Sequence, residues 1–181
     1  MEADLFIAAL VAGGFLLGFV RGVMRQLIAL AAWLLSFIVA AQLQRPLADW
    51  LVTQEPRYSL QYIEMLTFGA AFLLLFGIAF VAIEIVGTVS DLTTHPALDE
   101  VLGGLLAAGV ALLAVASVIV ILDIYYAAPV PGPTAEIGIL RDAHGLLGRS
   151  AIAGWLSDSL IPGLGALFGL LLPEGVRQVM G

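Results

Sequence analysis

The chain has 181 residues, 61% apolar and 12% charged, with fourteen acids against seven bases and a formal net charge of −7. Soluble domains carry about 45–50% apolar and about 25% charged residues, so the composition excludes an ordinary soluble domain and makes a membrane protein the default reading. All seven bases are arginine, which leaves no polybasic tract to neutralise phosphates and excludes nucleic acid as a partner, while the lack of cysteine excludes disulfides, thiolate nucleophiles and cysteine-ligated metals.

Four apolar stretches approach the ~20 residues needed to cross ~30 Å of hydrocarbon. The first runs from about Asp4 to Val20, the second from Leu27 to Leu43, the third from Ile63 to Val89 and the fourth from Val101 to Leu122. Each is continuously apolar, without the period-2 alternation of a membrane strand, so the fold class is all-α and polytopic, with four transmembrane helices. The first stretch is kept as mature structure, because Glu2 and Asp4 precede it and no base does, unlike a secretory signal. Asp4 is expected to cap this helix through its side-chain oxygen.

The links differ in kind. Arg21 to Arg25 is so short that the first two spans form a tight hairpin or a sharply bent pair with both arginines at the interface. Gln44 to Tyr62 reads as a longer link whose Trp50, Tyr58 and Tyr62 suit the headgroup region. Ser90 to Glu100 is short and acidic, and Pro96 is placed to start the fourth helix. Past Asp123, the three prolines at 129, 131 and 133 cannot continue a helix, which divides a four-helix transmembrane domain, 1–123, from a C-terminal region, 124–181. In that tail, Ile152, Trp155, Leu156, Ser159 and Leu160 form an amphipathic stripe, and Leu164 to Leu172 is apolar but about 14 Å long as a helix. The expectation is an amphipathic interfacial helix, then a short apolar helix docked on the bundle or half-inserted, neither able to span.

Small residues recur at helical spacing: Gly14, Gly18 and Gly22 on the first helix, Gly103, Ala107 and Ala111 on the fourth. Lipid tails give helices no hydrophobic reason to associate, so such faces are a main source of close packing, either within the bundle or between copies in a homo-oligomer. Glu84 lies just inside the end of the third span, where it either snorkels or makes a polar contact or ion path; Glu64 and Asp123 lie at span ends. Asp91, His95 and Asp99 repeat every fourth residue, but Pro96 and Asp99 read as a helix start rather than a metal site. His144 has no nearby nucleophile or second histidine. With no P-loop, no Gly-x-Gly-x-x-Gly and no His-Glu-x-x-His, no catalytic residue, cofactor or metal is expected, and the chain does not read as an enzyme.

Asp4, then Arg21-Gly22-x-x-Arg25, Leu30 and Trp33, resembles the N-terminal signature of the CvpA family, the colicin V production proteins of bacterial inner membranes. Leu98-Asp99-Glu100-Val101-Leu102-Gly103 is similar to that family's motif before its fourth helix, and Trp155, Ser159 and Pro162 follow its C-terminal pattern. Glu100 and Val110 stand where the family usually carries arginine. The resemblance implies a multi-pass inner-membrane accessory protein of toxin production, export or envelope homeostasis. Its partners would be the lipid bilayer, a membrane or secretion protein, or a second copy. A small oligomeric channel or transporter, with Glu84 and the glycine faces lining a path, is the alternative. Because Arg21 and Arg25 adjoin both of their spans, the first loop is expected in the cytoplasm and both termini in the periplasm.

Overall fold

A computed structural model describes residues 2–86, 96–127 and 135–180. Every regular element among them is helical: α1 (Glu2–Arg21), α2 (Val23–Gln54), α3 (Leu60–Val86), α4 (Pro96–Tyr126), α5 (Gly138–Leu147), α6 (Ala151–Trp155), a π-helical turn (Leu156–Leu160), α7 (Ile161–Phe168), a 3-10 turn (Gly169–Leu171) and α8 (Glu174–Met180). The protein is therefore an all-α polytopic membrane protein, as its composition implies, with the first, second and fourth expected spans inside α1, α2 and α4 and the third inside α3 as far as Val86, its last residues lying outside the described ones.

α1, α2 and α4 are longer than their apolar stretches. α2 continues through Arg45 and Pro46 to Gln54, so most of the expected second link is helix. A proline inside a helix removes one hydrogen bond and costs about 3 kcal/mol, but here Gln44 and Ala48 are buried on either side of it, and that packing carries the helix past Pro46. Likewise α4 runs beyond Asp123 because Tyr125 is buried in the core.

Chain order is not spatial order. Although one residue joins α1 to α2, each packs along α4, which lies between them, while α3 packs on α2. The pair is thus sharply bent rather than a tight hairpin. The two small-residue faces meet each other within one chain. A Cβ on Gly14 would lie 3.2 Å from the Ala111 Cβ, one on Gly103 would lie 2.6 Å from the Gly18 carbonyl oxygen, and one on Gly18 would collide with Ala107 and Gly103. Only glycine lets the α1 and α4 backbones approach this closely.

The core lies on the other side of α4. Trp33 and Phe37 stack at 5.5 Å, and Phe37 meets Phe68 at 5.1 Å and Phe72 at 5.9 Å. The one polar group of buried Trp33 is satisfied there, because its Nε1 donates to Ser117 Oγ at 3.1 Å, which donates onward to the Leu113 carbonyl at 2.8 Å. In lipid no water could take that role.

The tail corrects an expectation. Residues Ala151 to Leu171 follow without a break through the π and 3-10 turns, so the two pieces judged too short form one segment of 21 residues, long and apolar enough to cross a membrane. It is anchored to the bundle at both ends. Its start is bound to Asp4 and its end to Gln42, whose Nε2 donates to the Leu171 carbonyl at 2.7 Å. Between them, Leu164 and Phe168 cover Trp33, Phe37 and Val120.

Replacing Gly18 by alanine should lower the thermal unfolding midpoint in detergent by several degrees, an overpacking cost of about 1–3 kcal/mol, and leucine should prevent assembly of the bundle. Gly13, whose Cβ position is open, should tolerate alanine without loss. Circular dichroism of the purified variants checks both.

Candidate functional site

The residues that carry the sequence motifs gather at the two ends of the bundle, where carboxylates hold helix starts that belong to other elements. At the Gly22 end, α2 begins with no side-chain cap of its own, since Gly22 occupies the cap position with φ 77°. Asp99, in the first turn of α4, supplies one: its Oδ1 accepts from the Val23 backbone N–H at 3.1 Å. The carboxylate satisfies an otherwise orphaned donor and faces the positive end of the α2 dipole. A Cβ on Gly22 would collide with Asp99 Oδ2, so the left-handed turn and the lack of a side chain are both required there. Beside this joint the Arg21 guanidinium lies 5.4 Å from the Phe80 ring centroid, and Arg25 is half-buried. Of Glu84 only the backbone, within α3, is described, and Asp91 and His95 lie outside the described residues.

The opposite end repeats the device. Here Asp4 Oδ1 accepts from Ser150 Oγ at 2.8 Å and from the Ile152 backbone N–H at 3.1 Å. Ser150 is the N-cap of α6, with its Oγ accepting from the Ala153 N–H at 3.1 Å. Asp4 thereby ties the first turn of the chain to the start of the C-terminal segment, 146 residues away.

Next to this joint lies an aromatic and charged cluster. Tyr58 stacks on Tyr62 at 5.6 Å, Tyr62 meets Tyr125 edge-on at 4.9 Å, and Tyr126 stacks on His144 at 5.0 Å. Tyr62 Oη accepts from the Ile137 N–H at 2.7 Å, Tyr125 Oη donates to Glu136 Oε1 at 2.9 Å, and Arg141 Nε donates to Glu136 Oε2 at 2.9 Å. The Tyr125 hydroxyl and then the Arg141 guanidinium hold the Glu136 carboxyl below its usual range, and the same carboxylate raises Arg141. His144 Nε2 sits 3.1 Å from Asp123 Oδ1 over a cleft of about 230 Å³ that Ser157 also lines. Sequence reasoning passed over this cluster. Its signals were present as Tyr125-Tyr126 before the prolines and the lone His144 after them, but nothing in their spacing pairs them.

The remaining motif residues divide. Trp33, Gly14, Gly18 and Gly103 are packing residues, whereas Trp155, Ser159 and Pro162 lie exposed on the C-terminal segment. Among the described residues no group of three or more His, Cys, Asp or Glu side chains could hold a metal ion. What the arrangement does chemically is to cross-link helices through charge-assisted hydrogen bonds at both ends.

Asp99→Ala should destabilise the bundle by about 1 kcal/mol, as loss of a helix cap does elsewhere, and Gly22→Ala by more, both read as unfolding midpoints in detergent. Because the Glu136 pKa is depressed, its contribution is present above the ordinary carboxylate range and is lost as pH falls through the depressed value. Acid titration followed by tyrosine fluorescence should show this loss in the native chain and not in Glu136→Gln.

The model of one protein family, described as Colicin V production protein, matches residues 3–161. No match to the chain was found among curated proteins or among solved structures.

Proposed function

Since that match covers most of its length, the chain belongs to the colicin V production protein family, and we propose that it serves toxin production or export, or envelope homeostasis, as a non-enzymatic accessory protein of the bacterial inner membrane. The observation that carries this reading is how the motif residues are used. Asp4, Gly18, Gly22, Trp33, Asp99 and Gly103 are each engaged in holding one helix to another, which suits a scaffold whose product is a shaped membrane surface. The partner offered that surface would be a membrane or secretion protein, or a second copy of the chain, in contact with lipid. We place the Gly22 turn in the cytoplasm, because Arg21 and Arg25 directly flank it, and both termini in the periplasm.

Colicin V release from producing cells that lack their own copy tests the role. The wild-type chain should restore release, Glu84→Gln should restore it equally, and Asp99→Ala should restore it only in part. In liposomes the purified protein should pass no ions above the empty-vesicle background; a current abolished by Glu84→Gln would establish the channel reading instead. Alkaline phosphatase should be active when fused after Gly181 and inactive when fused after Gly22, and the reverse pattern overturns the orientation.

A further inference from the structure

Beyond the glycine contacts, α1, α4 and α5 enclose an apolar cleft of about 480 Å³. Ile7 and Val115, both buried, form its floor, the exposed Phe6, Leu10 and Val118 form its rims, and Leu146 of α5 closes the remaining side. Glu2 stands at one end, in the first turn of α1, and from there the cleft follows α1 to Leu10, eight residues or about 12 Å, close to one leaflet's share of a ~30 Å hydrocarbon core. Apart from Glu2 every side chain lining it is apolar, so water and polar solutes would find no partner inside, whereas a hydrocarbon chain needs none. The apolar surface along Leu73, Leu74 and Ile78, by contrast, is furnished by α3 alone.

The mouth of this cleft carries both signs of charge. Arg149 lies just past α5, where its backbone N–H donates to the Leu146 carbonyl at 3.3 Å, and the next residue, Ser150, is bonded to Asp4, the neighbour of Ala3 in the cleft lining. The Arg149 side chain is exposed, with no hydrogen bond or ion pair among the described residues. We propose that the cleft binds one acyl chain of a bilayer phospholipid whose zwitterionic headgroup carries an amine, with the headgroup phosphate on Arg149 and the amine on Glu2. A guanidinium offers a phosphate two parallel N–H donors, and a carboxylate accepts from an ammonium. The chain then fills space between α1, α4 and α5 that no side chain of the protein fills, and joins the three helices at the Asp4 end. This site does not depend on the accessory role, since it rests only on the shape and charge of a surface embedded in lipid.

Photoactivatable lipid tests this with the native chain. In nanodiscs of phosphatidylethanolamine and phosphatidylglycerol in equal parts, a phosphatidylethanolamine with a diazirine in its acyl chain should cross-link to Phe6, Leu10, Val118 and Leu146 in preference to Leu73, Leu74 and Ile78, read by peptide mass spectrometry. In native mass spectrometry the full chain should retain one phosphatidylethanolamine in preference to phosphatidylglycerol. Arg149→Gln should lower that occupancy about threefold, the worth of an exposed ion pair, and Glu2→Gln should remove the preference between the two lipids. Ala114→Trp, checked for native helicity and elution, should abolish retention by filling the cleft. Cross-linking spread evenly over α1, α3 and α4, retention by the native chain without preference, or retention that survives in Ala114→Trp overturns the site. So does equal labelling by a free fatty acid bearing the same diazirine, or a dimer mass without lipid, which would assign the cleft to a second copy.

Discussion

Helix α2 starts at a residue with no side chain, and the group that completes its first turn comes from α4. That single bond from Asp99 to the Val23 N–H explains much of the architecture. It can form only if the α4 N-terminus reaches the Gly22 turn, which brings Gly103 against the backbone of Gly18 and Gly22. Once the two backbones touch there, the glycine and alanine faces continue the contact toward Gly14 and Ala111, and α4 is set between α1 and α2. The wedge in turn directs α2 onto α3, where Trp33, Phe37, Phe68 and Phe72 form the aromatic core. Two forces that remain effective in lipid, close backbone packing and satisfied hydrogen bonds, fix the arrangement in place of the hydrophobic effect.

The far end uses the same economy. α1 and α4 run antiparallel, and each carries an acid in its first turn that holds the start of a different helix: Asp99 holds α2 and Asp4 holds α6. The bundle is thus tied at opposite ends by two matching joints. Because Asp4 also engages Ser150, the second joint fixes where the C-terminal segment begins, and Gln42 fixes where it ends. The segment so anchored covers the Trp33 and Phe37 side of the core.

This distribution of polar groups bears on function. Charge-assisted bonds join the helices at both ends of the bundle, and α5 adds the packing of Leu140, Ala143 and Leu147 against the core to its Asp123–His144 contact. A four-helix frame tied at both ends by such joints suits the scaffold role proposed above.

The sequence by itself determined the class, the helices and the family. Continuous apolar runs of sufficient length leave no other structure for the backbone in lipid, so α1 to α4 were legible, and the spacing of Gly14, Gly18 and Gly22 marked a packing face. It left open which face that one would meet, because small residues fit a neighbour in the same chain or in another equally well. The helix ends were misjudged where packing overrides a local signal, as at Pro46, and the tail was divided where the chain in fact continues through a π turn. Only the tertiary structure decided the pairings of Asp4 with Ser150, Asp99 with Val23 and Asp123 with His144. A carboxylate's sequence neighbours say nothing about which distant backbone N–H or imidazole will arrive beside it; that is set by the order in which the helices pack.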